Sequence, residues 1–205
     1  MMLQHAQRRP WWSHIEPRLI LGALPLHNKD HLNQDEGVKA IVTMNQPVEL
    51  LPNFLSTPVS PGTMSKRSLK DKVLIDDWQK QQVAQCFGST EDFSPPTLDT
   101  IERFVHSSFS LFMDSNAPNA PRCVSFVHEH VDVQQQTTYV HCKAGRGRST
   151  VIVVAFLIQC RQMTLDEAFE LVKTKRPHVS LYAKQRRILR EFSQKYSPST
   201  STIYD

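Results

Sequence analysis

The sequence predicts a single α/β domain in which helices flank a central, largely parallel sheet. Its 205 residues, 40% of them apolar, suffice for one domain with a buried core. Short β-branched runs alternate along the chain with helical patterns, which favours parallel strands joined by helices. Polar segments rich in turn residues separate these elements, as surface connections do.

Four short apolar runs bounded by turn residues are typical of strands buried in a sheet. They are residues 19–22, 39–44, 83–87 and 138–141. The last run leads directly into the segment with the strongest chemical signal in the chain.

Helical spacing of apolar residues predicts four helices, at 97–113, 149–159, 164–177 and 183–195. The second is apolar at almost every position and is expected to be buried nearly all round. The third begins with the capping-box pattern Thr164-Leu165-Asp166-Glu167 and stops at Pro177. The inward residues expected for the fourth are Ile188, Leu189 and Phe192.

The remaining segments predict the limits of the domain. Residues 1–14 are expected to form a basic tail or a targeting segment, because they carry two arginines and no acidic residue. The domain itself is predicted over 15–196, followed by a tail at 197–205. Two polar segments, near 52–72 and 115–136, are expected to be solvent-exposed insertions.

Composition excludes several classes of function. The net charge of +4 suits anionic partners, but no basic run is interleaved with aromatic residues, so no nucleic acid is expected as a partner. The apolar run at 151–158 is too short to span a membrane, which predicts a soluble or peripheral protein. The four cysteines lack disulfide-framework or zinc spacing, and the His128-Glu129-His130 triplet lacks helical ligand spacing, so neither a metal nor a cofactor is expected.

The chemical signal lies in residues 141–150, which read HCKAGRGRST. They follow a predicted strand and open a predicted helix, so inward backbone N–H groups and the helix N-terminus can hold a tetrahedral anion. Gly145 and Gly147 supply the backbone freedom that such a turn needs. We call residues 142–148 the anion-binding loop, and phosphate is its expected occupant.

Side chains of this loop predict nucleophilic catalysis. The inward dipoles and the positive charge of Arg148 favour the thiolate of Cys142, which makes it a nucleophile. Arg148 can donate two parallel hydrogen bonds to phosphoryl oxygens, and the Ser149 hydroxyl can stabilise the thiolate. His141 is expected to orient the loop by hydrogen bonding to backbone.

Attack by a thiolate on a phosphate ester requires an acid that protonates the leaving oxygen. Asp92 is the candidate, because it lies between a predicted strand and a predicted helix, where a loop can arch over the anion-binding loop. Glu91, Asp76 and Asp77 compete for this role. Asp92 as a simple turn or cap residue is the alternative.

The His-Cys, five residues, Arg, Ser pattern resembles the signature of the cysteine-based protein tyrosine phosphatases, dual-specificity branch. Residues 21–25, 41–45, 89–92, 96–98 and 141–146 are also similar to those of the mitochondrial phosphatidylglycerophosphate phosphatase family. This resemblance implies a protein tyrosine phosphatase-like fold and selects Asp92 as the general acid. It also implies a substrate-binding loop made of Lys143, Ala144, Gly145, Arg146 and Gly147.

The resemblance further implies hydrolysis of phosphatidylglycerophosphate, on the pathway to cardiolipin, through a phosphocysteine intermediate. A dual-specificity protein phosphatase or a phosphoinositide phosphatase is the alternative. The expected partner is therefore an anionic phospholipid or a phosphoprotein, and peripheral contact with a membrane is expected for the lipid. The family implies a mitochondrial location, and a cytoplasmic one is the alternative.

Overall fold

The computed structural model describes residues 9–25, 36–50, 75–102 and 123–196. Three predicted features fall outside these ranges: most of the N-terminal tail, the insertion near 52–72 and the tail at 197–205. The same holds for residues 103–113 of the first predicted helix.

A five-stranded sheet forms the centre of the domain, in the order β1-β2-β5-β3-β4. Only the β1–β2 pair is antiparallel, while the other three pairs are parallel. The strands are β1 (Trp12–Glu16), β2 (Leu19–Gly22), β3 (Val38–Thr43), β4 (Ala84–Phe87) and β5 (Thr137–His141). The largely parallel sheet and the four predicted strands are confirmed.

The edge strand β1 corrects the prediction of a tail over residues 1–14. Trp12–Glu16 pairs with β2, so the last part of the predicted tail belongs to the sheet. Ile15 is the only fully buried residue of this strand, and the others are half-buried or exposed. An edge strand with so little buried apolar surface has no apolar run that sequence patterning can detect.

Helices cover the sheet on both sides. Among the described residues they are α1 (Pro47–Leu50), α2 (Ile75–Lys80), α3 (Leu98–Glu102), α4 (Cys123–His128), α5 (Arg148–Arg161), α6 (Leu165–Lys175) and α7 (Ala183–Tyr196). A π-helical turn, Glu129–Val133, continues α4. None of the helices in the described ranges is long and apolar enough to cross a membrane.

Helix α5 is the centre of the larger hydrophobic core. Every residue from Arg148 to Ile158 is buried, which confirms the prediction of a helix buried nearly all round. Its aliphatic side chains each contribute roughly 1.5–3 kcal/mol by leaving water. This packing fixes the N-terminus of α5, and the loop that enters it, relative to β5.

Helices α6 and α7 support α5. The capping box of α6 is confirmed, because Thr164 Oγ1 accepts the amide of Glu167 and the Glu167 carboxylate accepts the amide of Thr164. In α7, Leu189 and Phe192 are fully buried and Ile188 packs against the same core.

The prediction of a solvent-exposed insertion over 115–136 is wrong for residues 123–131. Helix α4 buries Cys123, Val124, Phe126 and Val127, and Val131 of the π-helical turn is buried as well. The short apolar run of α4 belongs to the main core beneath the sheet. Its polar flanking residues, including the glutamines at 134–136, concealed it in the sequence.

Candidate active site

The anion-binding loop joins the C-terminal end of β5 to α5, at the sheet edge where α/β proteins bind ligands. Four consecutive carbonyl oxygens of the loop accept hydrogen bonds from groups outside it. The donors are the Leu24 amide to Lys143, the Arg176 guanidinium to Ala144 and Gly145, and the Ser180 amide to Arg146. The C=O and N–H groups of a planar trans peptide lie on opposite sides. Because these carbonyls point out of the loop, the N–H groups of residues 144–147 point into it.

Arg176, which sequence reasoning missed, supplies two of these anchors. Its Nε donates to the Gly145 carbonyl at 2.8 Å and its Nη2 to the Ala144 carbonyl at 3.5 Å. The same guanidinium, 1% exposed, also bonds the Pro10 and Trp11 carbonyls and the Ser13 hydroxyl. Arg176 thus ties the loop to the chain segment that leads into β1.

Gly145 has a positive φ of 61° and also lies against the backbone of β2. A Cβ atom at this position would lie 2.3 Å from the carbonyl carbon and oxygen of Gly22. The glycine is therefore required for its conformation and for the close approach of the two chain segments.

Gly147 immediately precedes α5 and lies against the amide of Gln185, a second residue that sequence reasoning missed. Gln185 is buried, accepts the Tyr182 amide at 3.1 Å and donates to the Ser94 carbonyl at 3.0 Å. The side chain therefore connects α7 to the loop that carries Asp92.

Cys142 lies at the floor of the loop, 3% exposed, with its Sγ 3.2 Å from the Ser149 hydroxyl. Burial alone raises the pKa of this thiol. The Ser149 hydroxyl, the amides of Ser149 and Arg146 and the positive charge of Arg148 together outweigh burial, and the pKa is below its ordinary value. The arrangement favours a thiolate, as the sequence predicted.

Arg148 is 2% exposed and is held by a buried carboxylate that the sequence analysis did not identify. Its two terminal nitrogens donate to the two oxygens of Glu49, at 2.6 and 3.0 Å, and Nη1 also donates to the Thr90 carbonyl at 2.8 Å. Burial raises the pKa of Glu49, but the hydrogen bond from Arg148 and the amide of Gln46 hold it below the ordinary value. An ionised Glu49 therefore orients the guanidinium.

Asp92 reaches the same guanidinium from the loop after β4. Its Oδ1 lies 3.0 Å from Arg148 Nη2, and its Oδ2 lies 3.9 Å from Lys143 Nζ. The side chain is 38% exposed, so it faces the mouth of the site. Of the competitors, Glu91 is exposed and bonds the Ser94 hydroxyl, while Asp76 and Asp77 belong to α2, before β4.

His141 contacts a neighbouring strand and the backbone of the loop. Its Nε2 and the Thr43 hydroxyl lie 2.9 Å apart, which joins β5 to β3. The ring is also hydrogen-bonded to the backbone of Cys142, as the sequence predicted. Burial lowers the pKa of His141 to about 3, so the ring is neutral near pH 7. The contact fixes the ends of the two strands from which Cys142 and Glu49 follow.

The remaining predicted loop residues form its outer surface. Lys143, Ala144 and Arg146 are exposed, and Arg146 Nε donates to the His178 carbonyl at 2.9 Å.

One group of side chains in the described ranges has ligand atoms close enough for a metal ion, namely His128, Asp132 and Cys160. Asp132 is already bound by Arg161 and by the His128 ring. Burial also raises the pKa of Cys160 to about 12, so its thiol is protonated. The Asp132 carboxylate is therefore already neutralised by the Arg161 guanidinium. His130, the last residue of the triplet, packs its ring against Phe126.

Comparison with known proteins agrees with this geometry. The family described as "Dual specificity phosphatase, catalytic domain" matches residues 101–195. Phosphatidylglycerophosphate phosphatase PTPMT2 of Arabidopsis thaliana is 30% identical over 95% of this chain and 68% of its own length. Human phosphatidylglycerophosphatase and protein-tyrosine phosphatase 1 is 31% identical over 90% of this chain and 74% of its own. The crystal structure of PTPMT1 in complex with PI(5)P is 29% identical, with a TM-score of 0.67 over 91% of this chain and 97% of that one.

A thiol with a lowered pKa in a loop of inward amides, joined to α5 beneath a parallel sheet, defines a cysteine-dependent phosphatase of the dual-specificity type. The two relatives are at least 30% identical to this chain, and the match covers more than two thirds of each. The chain belongs to the phosphatidylglycerophosphate phosphatase family.

Proposed function

We propose that this protein hydrolyses the terminal phosphate monoester of phosphatidylglycerophosphate through a phosphocysteine intermediate. The observation that carries the chemistry is the meeting of three groups at one place. The Cys142 thiol lies at the floor of the anion-binding loop and interacts with the guanidinium of Arg148, and the carboxyl group of Asp92 lies 3.0 Å from the same guanidinium at the mouth. No cofactor is needed for this reaction.

In the first step, the Cys142 thiolate attacks phosphorus and a P–S bond forms. The ester P–O bond breaks, and its electron pair remains on the leaving oxygen, which takes the proton of Asp92. Arg148 and the loop amides bind the equatorial oxygens, where negative charge is held throughout. Glu49 keeps the guanidinium in place without touching the phosphoryl group.

In the second step, water attacks the phosphocysteine and Asp92, now ionised, accepts a proton from it. The P–S bond breaks and its electron pair returns to sulfur as the thiolate. The hydroxyl of Ser149 stabilises that leaving thiolate by its hydrogen bond. Inorganic phosphate then leaves, and Asp92 retains the proton for the next cycle.

The lipid substrate is supported by family membership, since both relatives are named for phosphatidylglycerophosphate. A second candidate is a phosphoinositide, because the related PTPMT1 crystal structure holds PI(5)P. A third is phosphotyrosine, because the human relative is also named a protein-tyrosine phosphatase. All three share the phosphate monoester that the loop would bind.

The same family membership supports a place on the cardiolipin pathway in mitochondria. Fluorescence microscopy of the chain tagged at its C-terminus tests the location. Fluorescence spread through the cytoplasm would contradict it.

One assay separates the three substrates. Phosphate release is measured side by side from phosphatidylglycerophosphate, phosphoinositides and a phosphotyrosine peptide, with chelator present. We expect the highest kcat/KM for phosphatidylglycerophosphate, and a preference for the peptide would overturn the lipid assignment.

Two variants test the mechanism. Cys142→Ser should abolish turnover of every substrate, and retained activity would exclude the phosphocysteine. Asp92→Asn should slow an alkyl phosphate by about 10²–10⁴-fold, and an aryl phosphate with a good leaving group much less. The control Glu91→Gln should behave as wild type, because Glu91 bonds Ser94 and not Arg148.

A further inference from the structure

Two aromatic side chains are exposed beside the mouth of the candidate site. Among the described residues, Phe93 is 62% and Tyr182 is 51% exposed. Their rings contact each other edge to face, with centroids 5.4 Å apart. We call this pair the aromatic ridge.

The ridge adjoins the catalytic groups through its neighbours in sequence and in space. Phe93 directly follows Asp92, which lies 3.0 Å from Arg148. Tyr182 precedes α7, and its amide donates to Gln185, whose side chain holds the loop of Asp92 at Ser94. The ridge therefore has a fixed position relative to the substrate entrance.

Phe93 combines a left-handed backbone conformation with an exposed ring. Its φ of 65° is in the left-handed region, which a bulky residue rarely adopts. Burying an aromatic ring normally stabilises a fold, whereas this ring is presented to water at a conformational cost.

Two exposed basic side chains of the anion-binding loop contact the chain segments that carry the ridge. Lys143 Nζ lies 3.9 Å from Asp92, the neighbour of Phe93. Arg146 donates to the His178 carbonyl, on the segment that leads to Tyr182. Burial and the charges of Arg176, Arg9 and Arg146 lower the pKa of His178 to about 4, in accord with a positive potential on this side.

We propose that the aromatic ridge, with Lys143 and Arg146, docks the active-site mouth onto the surface of an anionic lipid bilayer. This inference rests on the proposed function, because a lipid phosphomonoester must be taken from a membrane. Aromatic rings favour the headgroup boundary, and basic side chains nearby favour anionic lipid. The face that admits the substrate is then the face that touches the membrane.

The experiment measures the partition of the intact chain onto large vesicles by sedimentation. Vesicles of phosphatidylcholine, which carry no net charge, are compared with anionic vesicles in which about a third of the lipid is phosphatidylglycerol. The variants are Phe93→Ser, Tyr182→Ser and the double variant. Val133→Ser is the matched control, since Val133 is 60% exposed but lies before β5, at the strand end opposite the site.

We expect wild type to prefer the anionic vesicles and each aromatic substitution to reduce partition about tenfold. The Val133→Ser control should partition as wild type does. Hydrolysis of a soluble aryl phosphate should stay within about twofold, because it needs no membrane. If the wild-type protein does not hydrolyse the soluble aryl phosphate, the phosphatase chemistry itself is refuted. The two proposals therefore fail in different measurements.

Three outcomes would overturn the docking surface. The first is binding of the double variant to anionic vesicles at the wild-type level. The second is an equal loss of binding in Val133→Ser. The third is unchanged vesicle binding in the aromatic variants together with loss of turnover of a phosphotyrosine peptide, which would show that the ridge binds a peptide substrate.

Discussion

Glu49 and Arg148 form a buried pair in which both carboxylate oxygens accept hydrogen bonds from the two terminal nitrogens of one guanidinium. The distances are 2.6 and 3.0 Å, and the residues are 99 positions apart in sequence. The pair joins α1, which follows β3, to the start of α5. It sets the orientation of the guanidinium before any substrate arrives.

Replacing Glu49 with glutamine leaves this buried arginine without an ionised partner on that side. We expect kcat/KM to fall by about 10–100-fold and the free energy of unfolding to fall by about 3 kcal/mol. Steady-state kinetics and denaturant titration measure the two effects. Glu191→Gln is the control, because it removes the exposed partner of Arg187, and unchanged kinetics in Glu49→Gln would contradict the orienting role.

The thiolate of Cys142 should control the acidic limb of the pH–rate profile. Ser149→Ala removes a hydrogen bond that lowers the pKa of Cys142, so this pKa should rise. The midpoint of Cys142 alkylation against pH then moves upward, since the thiol below its pKa is unreactive. Turnover should fall about tenfold or more, because the hydroxyl also stabilises the departing sulfur. An alkylation midpoint that does not move would contradict the contact.

Arg176 should act on the reaction through the carbonyls that it holds. The Arg176 guanidinium donates to five acceptors, and the single ammonium of a lysine cannot replace all of these bonds. In Arg176→Lys the carbonyls of Ala144 and Gly145 are therefore held less firmly, and the loop amides lose their fixed direction. We expect kcat/KM to fall about 10–100-fold. The pKa of Cys142, followed by alkylation, should rise.

Arg161 is the matched control for Arg176. It also bonds several acceptors, but these are Glu16 and Asp132, away from the loop. Arg161→Lys should reduce stability and leave the alkylation midpoint in place. If both variants shift that midpoint equally, Arg176 has only a structural role.

The sequence predicted the parts of the site that are contiguous in the chain. Cys142, Arg148 and Ser149 lie in one segment whose glycines and flanking helix have a recognisable pattern. Helix α5 was predictable because burial on all sides requires apolar residues at almost every position.

Glu49, Arg176 and Gln185 were not predictable, because their roles arise only from tertiary contacts. Each is polar and buried, and a single sequence does not distinguish a buried polar residue from a solvated one. The weak signal for Glu49 was its position shortly after a predicted strand, on the edge where Cys142 also lies. Arg176 beside Pro177 reads only as a basic helix end.

Backbone conformation and steric contact both require a glycine at position 145, and a second glycine separates the two effects. Gly37 and Gly145 have nearly equal positive φ angles, 60° and 61°. A Cβ atom on Gly37 meets nothing within 4 Å, whereas one on Gly145 would lie 2.3 Å from the backbone of Gly22. Gly37→Ala should therefore cost only about 1 kcal/mol, the conformational penalty for a left-handed alanine. Gly145→Ala must also move the anion-binding loop away from β2, so it should cost about 3 kcal/mol or more.

Thermal unfolding and aryl phosphate hydrolysis of the two variants measure the difference. Equal losses in the pair would mean that conformation alone explains the glycine, and that the contact with Gly22 does not hold the loop.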